Sequence, residues 1–113
     1  MVDEQELLES AYRDFNARRL ESVLARMQPD VTWANGMDGG YVYGHAGVRE
    51  YWTRQWKTVD PHVYPVRIAP KDGRFIVEVH QVVHDMEGNL LLDTIVHHAY
   101  TIRDSLIERM DIE

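Results

Sequence analysis

The sequence predicts an α+β domain in which N-terminal helices pack on one side of a curved, mainly antiparallel sheet. Three observations lead there. Apolar residues keep helical spacing up to about residue 57, and four strand-like runs separated by turn residues follow from Pro61 onward. The chain also has 113 residues without a repeat, low-complexity tract or linker, which is enough for one core and too few for two. Residues 1–113 are therefore read as a single domain.

The first helix is expected over residues 4 to 18, where Leu7, Leu8, Ala11, Tyr12 and Phe15 recur at steps of three and four and Asp3 supplies an N-cap. A second, shorter helix fits "LESVLARMQ", with Leu20, Val23, Leu24 and Met27 on one face and Pro29 as its end. "DVTWAN" reads as a strand. Glycines 36, 39 and 40 then make "GMDGG" a loop before a short extended piece at Tyr41 to Tyr43. The third helix, from about His45 to Lys57, carries Val48, Tyr51, Trp52 and Trp56 on one stripe. "HVYPVRIAP", "RFIVEVHQVVHDM", "NLLLDTIVHHAYTIRD" and "LIERMDIE" complete a four-stranded meander joined by "KDG", "EGN" and "DS".

Composition narrows the function classes. Lys and Arg number 12 against 19 Asp and Glu, a formal net charge of -7, the wrong sign for non-specific binding to nucleic acid or an anionic membrane. The N-terminus lacks the basic start and apolar core of a secretion signal, which gives a cytoplasmic expectation. With no cysteine, thiol nucleophiles, disulfides and thiolate metal sites are excluded. No phosphate-cradling glycine loop, nucleophile elbow or zinc-protease motif occurs. His80 and His84 stand four residues apart on one strand, roughly 13 Å, too far to share an ion. Only His80 with His97, joined by Glu78, could converge, so no metal and no cofactor are expected.

His97 and His98 must point to opposite faces of their strand. A two-residue turn at Gly88 and Asn89 would set His80 opposite His97, His84 opposite Asp93 and Glu78 opposite Ala99, on a mixed face with Ile76, Val82 and Ile95. The other face pairs Val77, Val79, Gln81 and Val83 with Tyr100, His98, Val96 and Thr94. A turn at "DS" would put Asp111 opposite His98, with Met110 and Ile112 joining the first face. The second face is the more apolar and suits a core or an oligomer interface, whereas the first suits a pocket lining or solvent. Pattern alone leaves both assignments open.

"LLESAYRDFNARRLESVLARMQPDVTWANG", "YGHAGVREYW" and "HHAYTIRDSLIERMDI" together resemble the nuclear-transport-factor-2-like superfamily, in particular its SnoaL-like and ketosteroid-isomerase-like members. The resemblance covers nearly the whole chain. It implies a cone, with helices closing over a strongly curved sheet to leave an apolar pocket, and pairing into a homodimer through the sheet. It also assigns the face with His80 and His97 to the pocket.

Ketosteroid isomerase uses an Asp base and an oxyanion hole made of a tyrosine and a protonated aspartic acid. On the family's pattern those positions hold Asn35, Ala11 and His97, so the usual steroid isomerisation is not expected. The resemblance leaves His97 as the group that moves a proton and Asn35 as the group that holds an oxygen or water. Trp33, Trp52, Trp56, His80, Tyr12 and Phe15 are the expected contacts to a small apolar or aromatic molecule. Two functions stay open: cofactor-free acid/base catalysis of isomerisation, cyclisation, dehydration or hydration, and a non-catalytic ligand-binding or protein-interaction module.

Overall fold

The computed structural model describes residues 3–36 and 38–113. Helix α1 spans Glu4–Asn16 and α2 Leu20–Leu24; strand β1 spans Met27–Ala34, β2 Tyr41–Tyr43; α3 spans Gly44–Thr58. The long strands follow as β3 (Val59–Lys71), β4 (Arg74–Asp85), β5 (Leu90–Arg103) and β6 (Leu106–Ile112). They form one curled, unclosed sheet in the order β2-β1-β6-β5-β4-β3, mixed because β1 runs parallel to β6 and antiparallel elsewhere. The α+β expectation, helices first and a meander after, is what the chain adopts.

Local chemistry explains the boundaries. The Asp3 side chain accepts from the Gln5 amide at 2.9 Å and caps α1. The helix stops two residues short of the expected end, because Arg18 takes a left-handed φ of 62°. The second helix is shorter still: the chain leaves it after Leu24, and Met27 and Gln28, expected in the helix, begin β1 instead. Pro29 lies in the stretch where β1 slips register against β6, so its missing N–H costs no ladder bond. Strand β3, with Pro61, Pro65 and Pro70, takes a sheet edge for the same reason.

Asn16 seats α1 on that edge. Its Nδ2 donates to the Val63 carbonyl at 2.7 Å and its Oδ1 accepts from the Val63 amide at 2.9 Å, replacing a strand's missing partner. The core lies between the helices and the inner sheet face: Leu8, Val23, Leu24, Met27, Val31, Val48, Val77, Val79, Tyr100 and Ile107 are buried there.

Two registers differ from expectation. At the β4–β5 turn, Asp85 Oδ1 accepts from both the Glu87 and Asn89 amides, and the Asp85 amide donates to the Asn89 carbonyl. The loop is thus four residues long rather than two, and a bulge between Val83 and His84 follows it. His80 consequently faces Ile95, Glu78 faces His97, and Val82 faces Asp93. The shift moves partners while leaving each residue on its expected face. The β5–β6 turn forms at "DS" as expected, with Asp104 and Ser105 both at positive φ. Beyond it Ile102 pairs with Ile107 but Thr101 with Arg109, so Glu108 is an extra residue. That one-residue slip reverses the remainder of β6: Ile112 faces His98, and Asp111 faces Ala99 on the other side.

Candidate functional site

Between α1, α3 and the inner face of the sheet lies a cavity of about 390 Å³. Its walls come from Tyr12 and Phe15 of α1, Trp33 of β1, Tyr51, Trp52 and Gln55 of α3, and the inner rows of the long strands: Val63, Gln81, Val83, Leu92, Val96, His98 and Tyr100, with Met110 and Ile112 from β6. No Asp, Glu, Lys or Arg side chain is among the lining residues. The volume falls in the range of small-molecule sites and the wall is mainly apolar.

The tryptophans make a packed wall. Trp33 meets Trp52 edge-on at 5.3 Å between ring centres, and Phe15 meets Trp52 edge-on at 5.0 Å. Trp56 sits behind them, 5.4 Å from Phe15, with the Arg18 guanidinium 5.2 Å over its ring.

The polar feature is a chain of three buried side chains. Tyr100 Oη donates to Tyr12 Oη at 2.8 Å, which leaves the Tyr12 proton for Nδ1 of His98, also at 2.8 Å. Burial, with the adjacent His97 adding to it, pushes the His98 pKa down to about 4, so the ring is neutral near pH 7. Burial also raises both tyrosine hydroxyls, which stay protonated. A neutral imidazole that accepts at Nδ1 carries its hydrogen on Nε2. Among the described residues nothing bonds Nε2. It is also not one of the sealed orphan atoms, which are Trp56 Nε1 and Arg74 Nε. The Nε2–H of His98 therefore keeps surface open to the cavity.

Several expected site residues lie elsewhere. His97 is on the outer face, its side chain 47% exposed, with Nε2 at 3.6 Å from Glu78. There it borders a shallow surface depression with Ile76 and Glu113. His80 shares that face and bonds Asp93 at 2.7 Å. Neither reaches the cavity, because the apolar second face, not the mixed one, turns toward the helices. Asn35 follows β1 and its Oδ1 accepts from the Asp38 amide, holding the 35–40 turn. It does not line the cavity, nor does Trp56. Met37, inside the expected "GMDGG" loop, lies outside the described residues; Gly36 beside it does line the cavity.

His98 is not among the expected site residues because its face reads as core in the sequence, and nothing in the local pattern singles out Tyr100. The apolar alternation of that face was the signal that could have found both. Asp111, expected beside His98, accepts from Arg74, Arg109 and Tyr41 on the outer side, and the Arg109 bond leads in holding its carboxyl at about 2. Among the described residues no three metal-capable side chains converge, and no helix is long and apolar enough to cross a membrane.

Residues 8–110 match the SnoaL-like domain family, and the chain belongs to it. Among solved structures it is similar to TerC, co-crystallised with polyporic acid, at 26% identity over 97% of this chain and 89% of that chain, with a TM-score of 0.86. A nuclear-transport-factor-2-like protein from Burkholderia pseudomallei K96243 superposes at TM-score 0.86 with 21% identity, over 100% of this chain and 91% of that one. A protein of ketosteroid isomerase-like fold from Catenulispora acidiphila DSM 44928, in complex with trimethylamine, gives 0.84 at 11% identity, over 96% and 84%. No curated protein matches the chain.

Proposed function

We propose that this SnoaL-like protein binds a small, flat, apolar carbonyl compound in the cavity and activates it through His98. The observation that carries the reading is the Tyr100 to Tyr12 to His98 chain, which fixes a neutral imidazole with its Nε2–H at an apolar cavity. Such a donor polarises a carbonyl oxygen and steadies the enolate or alkoxide that forms from it. A polar group placed against an apolar wall also orients the ligand, since any other pose leaves Nε2–H unpaired. TerC's co-crystallisation with polyporic acid is in keeping with a small organic ligand in this fold.

The cavity wall offers no carboxylate base. The fitting reactions are therefore tautomerisation or cyclisation of a substrate whose own enol or phenol hydroxyl supplies the mobile proton. That same absence favours the second reading, a binder without turnover. Two copies of the chain pair through the outer face of the sheet, where Tyr64 and Ile95 leave about half of their surface exposed. A monomeric mass by light scattering at micromolar concentration overturns that pairing.

The test uses the tryptophans in the wall. Titration with planar aromatic ketones should quench their fluorescence saturably in the wild type and in His97→Gln. His98→Asn keeps an acceptor for Tyr12 while removing Nε2–H, and should weaken binding roughly tenfold. Product formation by the wild type alone selects the enzyme; binding without turnover selects the binder. Absence of quenching by every ketone, or equal affinity in His98→Asn, overturns the site.

A further inference from the structure

The cavity is longer than one polar anchor requires. Its floor follows β5 from His98 through Val96 to Leu92, about 20 Å of strand at the usual rise. Beyond Val77, the residue opposite His98, the inner row of β4 passes Val79 and reaches Gln81. Gln81 stands four residues from Val77, roughly 13 Å along the sheet. Its neighbours across the ladder are Val63 and Thr94. From the helical roof, Gln55 reaches the same cavity. Among the described residues neither side-chain amide has a hydrogen-bond partner, and neither is sealed from the cavity. An amide supplies both a donor and an acceptor, so it takes a hydroxyl or a carbonyl equally well. Leaving it unpaired beneath a bound apolar ring has a cost that a ligand oxygen removes.

We propose that Gln81, with Gln55 lining the same cavity, is a second polar anchor, and that the ligand is an elongated two- or three-ring compound carrying an oxygen at each end. One oxygen accepts from His98 Nε2–H, and the other, a hydroxyl or carbonyl, pairs with the Gln81 amide. The inference rests on the function proposed above and adds the far end of the ligand to it. Because the wall holds no ion, both oxygens are recognised in uncharged form.

The probes are para-acetylbiphenyl and its counterpart with a para hydroxyl on the distal ring, titrated by tryptophan fluorescence. In the wild type the hydroxyl should tighten binding roughly five- to tenfold, the worth of one neutral hydrogen bond. Gln81→Met should abolish that gain, and acetylbiphenyl, which no longer leaves an amide unpaired beneath its distal ring, should bind the variant at least as tightly as the wild type; a thermal melt confirms that the variant is folded. Absence of a hydroxyl gain in the wild type, with acetylbiphenyl still bound in a His98-dependent way, overturns this inference and spares the proposed function. A gain that survives in Gln81→Met overturns the assignment to Gln81. Failure of both probes to bind the wild type overturns the two together.

Discussion

Along β5 the inner row, Val96, His98 and Tyr100, and the outer row, Asp93, Ile95 and His97, meet different surroundings although they alternate on one strand. On the inner side His98 is held by the Tyr12 hydroxyl, which Tyr100 bonds in turn, and is neutral. On the outer side of a single copy His97 and His80 are partly exposed beside Glu78 and Asp93. The same imidazole is a fixed donor in one place and one half of an exposed pair in the other. Histidine content alone says little, because the medium decides which chemistry the ring can do.

The sharpest way to break this contrast is to open the inner side. Trp52 is buried against Trp33 and Phe15. Trp52→Ala should cost about 3–5 kcal/mol by urea denaturation. A cost below ~1 kcal/mol would mean that the aromatic wall is not packed.

Next comes acid. The folded pKa of His98 is depressed from 6.5 to about 4, so the unfolded chain binds this proton more readily. Its contribution is complete above pH 6.5 and is lost as pH falls toward about 4. The total is about 3 kcal/mol, to order of magnitude. Denaturation at a series of pH values should show that part of the slope vanish in His98→Asn. An unchanged slope would mean that the folded and unfolded chains bind this proton equally.

The smallest effect belongs to the outer row. His97→Gln should change fold stability by no more than ~0.5 kcal/mol, as expected for an exposed pair. A larger loss, measured in the same denaturation series, would show that the His97–Glu78 pair holds the sheet itself together.

The sequence made the architecture legible because its signals are local and numerous. Asp3 before α1, the apolar stripe of Val48, Tyr51 and Trp52, and the alternation of β4 and β5 each point to one element. Membership of both faces was legible on β4 and β5 as well. The choice of inner face was not: it depends on which side the helices cover, a long-range fact that alternation leaves open and that the family resemblance resolved in favour of the wrong side. Nor was the reach of Asn35 visible, since an asparagine at a strand end can hold its own turn as readily as a ligand. The β6 reversal was hidden for a further reason. A bulge leaves the local hydrophobic pattern intact and changes only what stands across the ladder.

That extra residue, Glu108, has a consequence for how such proteins diversify. Loss of its single codon would restore a simple ladder and leave every partner beyond it in place, with Asp111 opposite Ala99 and Ile112 opposite His98. Drawing Glu108 into the ladder opposite Thr101 would instead bring Asp111 opposite His98, a carboxylate beside an imidazole already in place. Whether Glu108 stands outside the ladder or within it thus decides which side chain of the last strand the cavity receives beside His98.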